Sequence, residues 1–146
     1  MLECNGYDSN LLDFVLDFNA IDNDSSKNWF KRTMNIPHAD WNKYTFDGAY
    51  RYLQKYGLRG HKPSLNSEWM KLIVNTQIYG GVGTIDDMLS YAGFNVENVL
   101  PSRKYRLVNF LQYYYIIEEV KRQHKGGRVF EITKFAEDLI EYVAQH

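Results

Sequence analysis

The run Phe110 to Tyr142, F-L-Q-Y-Y-Y-I-I-E-E-V-K-R-Q-H-K-G-G-R-V-F-E-I-T-K-F-A-E-D-L-I-E-Y, changes its hydrophobic period twice. Up to Tyr114 the apolar residues recur every three or four positions. Leu107, Phe110, Leu111 and Tyr114 mark the buried face of a helix that opens near Pro101, whose fixed φ suits a first helical turn. Tyr115 to Arg122 is rich in aromatic and β-branched residues at its start, His124-Lys125-Gly126-Gly127 is a turn signal, and Val129 to Thr133 reads as a second strand. Two such runs around a glycine turn predict a β-hairpin. From Thr133 or Lys134 the helical spacing returns, with Phe135, Leu139, Ile140 and Val143 on one face.

Upstream, Asn66 or Ser67 is placed to cap a helix with Trp69, Leu72, Ile73 and Thr76 on one side, and Gly80, Gly81 and Gly83 break it. Thr84 and Asp87 make a capping-box pair for a short helix that buries Ile85, Met88, Leu89 and Ala92 and stops at Gly93. Asn95 to Leu100 is a connection. The order from residue 66 is therefore helix, helix, helix, hairpin, helix. Gly57 to Ser64, G-L-R-G-H-K-P-S, is the expected boundary, since Pro63 biases Lys62 away from helix. Ahead of it, Ser9 could cap a helix, or begin a buried strand, bearing Leu11, Leu12, Val15, Leu16 and Phe18. Asp22 to Ser26 is turn-rich, and Lys27 to Met34 reads as a short helix. A second helix starts at Thr45 or Asp47, carries Phe46, Ala49, Tyr50, Leu53 and Tyr56, and ends at Gly57. The expected fold class is mainly α (α+β), with a helical lobe over 1–62 and a second domain over 63–146.

Composition sets outer limits. The 146 residues are 45% hydrophobic and 24% charged, which suits a globular chain with one core. A single cysteine, Cys4, leaves no disulfide framework. No apolar run reaches membrane-spanning length and no secretory leader is legible, so an intracellular, reducing location such as the cytoplasm is expected, with no membrane partner. The net charge of -1 argues against a generic polyanion binder, but the charge is blocked. Residues 1–26 hold six acids and no base; residues 27–62 hold eight bases and two acids; residues 101–130 hold seven bases and two acids. Basic blocks of this kind suit a local anion-binding face or a solvated surface. No P-loop, dinucleotide-binding glycine turn or nucleophile elbow occurs. His38 and Asp40 form one H-x-D pair, with no second pair to complete a metal site. The chain reads as a non-enzyme with no cofactor and no metal.

The 110–142 run resembles the third-helix, wing and fourth-helix segment of winged-helix transcriptional regulators, and the resemblance spans roughly residues 66–146. Tyr115, Ile116 and Ile117 occupy the Gly-Leu-Ile step, Gly126 and Gly127 the wing tip, and Val129 to Thr133 the closing strand. The chain departs from the pattern in two places: Tyr stands where a glycine is usual, and the link before Pro101 is long. The resemblance implies duplex DNA as partner, with the third helix in the major groove and the wing on the backbone. Helical spacing turns Ser102, Arg106, Asn109 and Tyr113 outward when the apolar face points in. Arg103 and Lys104 at the helix start are placed to reach phosphates, as are Lys121, Arg122, Lys125 and Arg128 around the wing. Arg reads guanine and Asn reads adenine with paired hydrogen bonds. Many such regulators dimerise through terminal helices, for which Phe135 to His146 and the N-terminal helix are the candidates. A second expectation is an adaptor or inhibitor that docks on another protein, which the near-neutral charge, the acidic N-terminus and the tyrosines would suit. The first basic block, interleaved with Trp29, Trp41, Tyr44, Tyr50, Tyr52 and Tyr56, reads as a helical lobe with a basic outer face or as a second nucleic-acid contact.

Overall fold

The computed structural model describes residues 24–58, 62–65, 67–120 and 127–145. The segment expected after Ser9, the alternative cap Asn66 and the wing residues Lys121, Arg122 and Lys125 with Gly126 lie outside the described residues. Six α-helices and three short strands follow in the order α1 (Asp24–Met34), α2 (Lys43–Tyr52), α3 (Glu68–Ile78), β1 (Val82–Gly83), α4 (Ile85–Tyr91), α5 (Pro101–Tyr113), β2 (Ile117–Glu119), β3 (Phe130–Ile132) and α6 (Lys134–Gln145). The chain is mainly helical with a small antiparallel sheet.

Local chemistry explains most boundaries. Helix α1 spans Asp24–Met34, so it includes part of the stretch expected to be turn-rich ahead of Lys27. Helix α2 begins earlier than Thr45 because Asn42 caps it, its side-chain oxygen accepting from the amides of Tyr44 at 2.8 Å and Thr45 at 3.1 Å. A single π turn, Leu53–Gly57, extends it. Ser67 sits at the start of α3, but its hydroxyl accepts from the Ser64 amide at 3.2 Å and makes no cap bond to the helix. Thr84 and Asp87 close the capping box of α4, each accepting from the other's amide at 3.1 Å. Pro101 opens α5.

The sheet has the order β1-β3-β2. Strand β3 pairs with β2, placing Ile117 opposite Ile132, and with β1, placing Gly83 opposite Phe130. Strand β1 is a structural addition to the expected hairpin: the turn at Gly80 and Gly81, both with positive φ, swings the chain so that Val82 and Gly83 pair with the far strand. At the other end, α5 passes into β2 through Tyr115, a non-glycine residue at φ 55°. The Thr133 hydroxyl bridges to the Tyr115 and Ile116 carbonyls and accepts from the Ala136 amide at 3.2 Å, so one side chain ties the α5–β2 turn to the start of α6.

One apolar core runs through the whole described chain. Phe30 of α1 and Ala49, Tyr52 and Leu53 of the α2 region belong to the same buried cluster as Leu107, Phe110, Leu111 and Tyr114 of α5. Phe30 stacks on Tyr52 at 4.1 Å between ring centres, and both rings reach Tyr114. Gly57 permits this approach: a Cβ there would lie 2.9 Å from Leu53 Cδ1 and 3.0 Å from the Tyr114 ring. The Gly57–Ser64 stretch separates elements in sequence, while the packing on either side of it is continuous.

Two predictions follow from these contacts. Thr133→Val keeps the shape of the side chain but removes the hydroxyl partner of the Tyr115 carbonyl and the Ala136 amide, and is expected to lower unfolding free energy by about 1–3 kcal/mol in urea titrations. Burial, aided by neighbouring phenols, raises the hydroxyl pKa of Tyr52 and Tyr114 above the ordinary tyrosine value. Raised acids of this kind add stability that is complete below the unfolded-state value and lost as pH rises from about 10 toward the folded-state value. The urea midpoint should therefore fall between pH 9 and pH 11, by less in Tyr52→Phe than in the parent chain.

Candidate nucleic-acid interface

Helix α5 owes its orientation to its buried stripe. Leu107, Phe110, Leu111 and Tyr114 are all fully enclosed, which leaves Ser102, Arg106 and Asn109 exposed along the opposite side. Arg103 and Lys104 are half-buried at the helix start. Lys104 Nζ lies 3.0 Å from Asp86 Oδ1, so its charge joins α5 to the first turn of α4. A partly solvated pair of this type contributes about 1 kcal/mol or less, so its main effect is to neutralise a cation on this face.

Tyr113 departs from the outward position that spacing predicts. Its hydroxyl is buried and its ring packs edge-on against Tyr114 at 4.8 Å. The cause is non-local: α1 lies beside the last turn of α5 and covers the side that helical counting leaves to solvent.

Arg128 is the one expected wing cation within the described residues. Its Nε and Nη2 donate to Glu119 Oε1 at 3.1 and 2.9 Å, and Nη2 also donates to Gln112 Oε1 at 3.1 Å. The guanidinium lies 5.0 Å from the Phe130 ring centre. Arg128 thus braces β2 against β3 and α5, with its charge matched by the Glu119 carboxylate. Glu118 and Glu119 are both exposed on β2, so the described part of the hairpin is not uniformly basic.

The structure adds two cations to the α5 face. Lys27 and Lys31 of α1 are exposed and border the same cleft as Asn109 and Gln112. Both belong to the first basic block, whose described cations Lys27, Lys31, Arg32, Lys43, Arg51, Lys55 and Lys62 are all exposed, while of its aromatics Tyr52 is buried, Trp41, Tyr50 and Tyr56 are half-buried, and Trp29 and Tyr44 are exposed. The cations thus form a basic outer face over a partly buried aromatic side, with Trp29 and Tyr44 left on the surface. The sequence signal for the two lysines is their spacing of four; what joins them to Asn109 is the packing of Phe30 on Tyr114 and Tyr115.

Among the described residues there is no group of three or more His, Cys, Asp and Glu side chains able to hold a metal ion. No helix of the described chain is long and apolar enough to cross a membrane. No family model, curated protein or solved structure matches the chain.

The Tyr115 turn offers a direct test of this local geometry. An L-residue in the left-handed region costs about 1–2 kcal/mol where glycine pays nothing comparable. Tyr115→Gly is therefore expected to be more stable than Tyr115→Ala by about 1 kcal/mol in chemical denaturation, the reverse of the order found at ordinary positions.

Proposed function

We propose that the region from α3 to α6 is a winged-helix module that binds duplex DNA in the manner of a transcriptional regulator, with α5 in the major groove. The observation that carries this reading is the exposed stripe of Ser102, Arg106 and Asn109 on a helix whose other side is locked into the core. The order helix, strand, helix, helix, strand, strand, helix supports it, as does the positive φ at Tyr115, where the resembled pattern carries glycine. In this reading Arg106 and Asn109 meet base edges, through a guanidinium fork for guanine and an amide for adenine. Lys27 and Lys31 meet phosphates from the flank. The hairpin contributes backbone contacts, with Arg128 held in place by Glu119.

A second reading, docking on another protein, is favoured by a different observation. Ile78, Tyr79, Leu100 and Tyr105 are large apolar residues at 59–70% exposure, and Tyr79 stacks on Tyr91 at 4.5 Å. Such residues on a surface suit a protein partner.

Fluorescence anisotropy with a duplex of random sequence separates the two. The DNA reading expects binding that falls steeply with salt, and a salt slope reduced by about two in Lys27→Ala/Lys31→Ala. Against a preferred site, Arg106→Ala/Asn109→Ala should lose about 1–3 kcal/mol for each base contact removed. Absence of binding at low salt, or variants indistinguishable from the parent chain, rejects it in favour of the protein-docking surface.

A further inference from the structure

We infer that the cleft between α1 and the last turn of α5 is a binding site for a small planar aromatic anion. The inference concerns the isolated chain and stands whether or not α5 binds DNA. The cleft has a volume of about 390 Å³, within the range of small-ligand sites. Lys27 and Lys31 stand one helical turn apart on one wall, and Asn109 and Gln112 of α5 form the other. Between them the surface is aromatic, made by Phe30, Tyr113 and Tyr115.

Three features fix the ligand class. Charge comes first: among the described residues no carboxylate lines the cleft and none pairs with Lys27 or Lys31. Gln112 commits its Oε1 to Arg128, which leaves its amide N–H groups as donors, so the polar groups of the walls are suited to donate to an anion. Flat rings come second. Phe30 is already stacked on Tyr52 and meets Tyr115 edge-on at 5.7 Å, so the aromatic surface is held rigid and offers offset or edge contacts to a planar guest. The third feature is Tyr115 itself. It keeps a bulky ring at φ 55°, a backbone position that favours glycine, and that ring forms part of the cleft. Two other cavities differ among the described residues: one of about 240 Å³ sets Asp138 and Glu141 beside Lys43, and one of about 410 Å³ has the single described cation Lys62 beside Tyr50 and Tyr142.

The anionic group of such a ligand would sit between the two ammonium groups, with its ring over Tyr115 and Tyr113. A carboxylate and a phosphate ester meet this chemistry equally, and separate titrations distinguish them. The test uses the ¹⁵N-labelled full chain with 4-hydroxybenzoate in one arm and adenosine monophosphate in the other. The neutral counterparts 4-hydroxybenzamide and adenosine, and inorganic phosphate alone, are run beside them. The expected result is saturable movement of the amide signals of residues 27–31 and 109–116 with at least one aromatic anion. Kd should be weaker by about tenfold for its neutral counterpart and in Lys27→Ala/Lys31→Ala, the scale of one lost charge-assisted contact. Both lysines are exposed, so an unchanged thermal midpoint shows that the variant is folded. The proposal is overturned if neither anion moves these signals at millimolar concentration, if the double variant binds as the parent does, or if inorganic phosphate binds as tightly as the aromatic anions.

Discussion

The turn at Tyr115 is the constraint on which the other elements depend. Within a few residues the chain must leave α5, reverse, enter β2 and lie beside the start of α6. The Tyr115 amide donates to Gln112 at 3.0 Å and the Ile116 amide to Leu111 at 2.8 Å, closing the helix end around a left-handed residue. Thr133 completes the joint: its amide donates to the Ile116 carbonyl at 3.2 Å, while its hydroxyl bridges the same turn and caps α6. The strain of a tyrosine at this φ is offset by these bonds and by the ring contact with Phe30. If the joint opened, β2 would lose its register against β3, and α5 would lose the fixed rotation that turns Arg106 and Asn109 outward.

The second constraint is the aromatic seam that binds α1 and α2 to this joint. Phe30, Tyr52 and Tyr114 meet in mutual ring contact, and only glycine at position 57 lets the end of the α2 region approach that closely. The N-terminal helices are thus part of the scaffold that presents α5. They also change its electrostatics. Lys104 and Arg128 are each matched to a carboxylate, whereas Lys27 and Lys31 bring positive charge to the flank of α5. Among the described residues, the charge these two lysines add therefore lies on the α1 side of this face.

Features set by neighbouring residues were legible in the sequence. The Thr84–Asp87 box, Pro101 at the start of α5, the four-residue buried stripe of α5 and the opening of α6 at Thr133 each follow from local capping or period. Strand β1 was not legible, because two residues, Val82 and Gly83, carry no period and gain their strand character only from pairing with β3. Tyr113 was misplaced for a related reason: counting at 3.6 residues per turn gives its direction but cannot reveal that α1 lies there. The partners of Lys104 and Arg128, and the approach of Lys27 and Lys31 to Asn109, are likewise products of tertiary packing between segments far apart in sequence.

The central claim is that the outward side of α5 meets duplex DNA. The most direct measurement is a titration of a short duplex into the ¹⁵N-labelled chain, followed by amide signal perturbation at physiological salt. The account predicts that the perturbed residues form one continuous surface over 102–109 of α5 and 27–31 of α1, with weaker effects along β2 and β3. Perturbation confined to Ile78, Tyr79 and their surroundings, or no perturbation with DNA in excess, would contradict it.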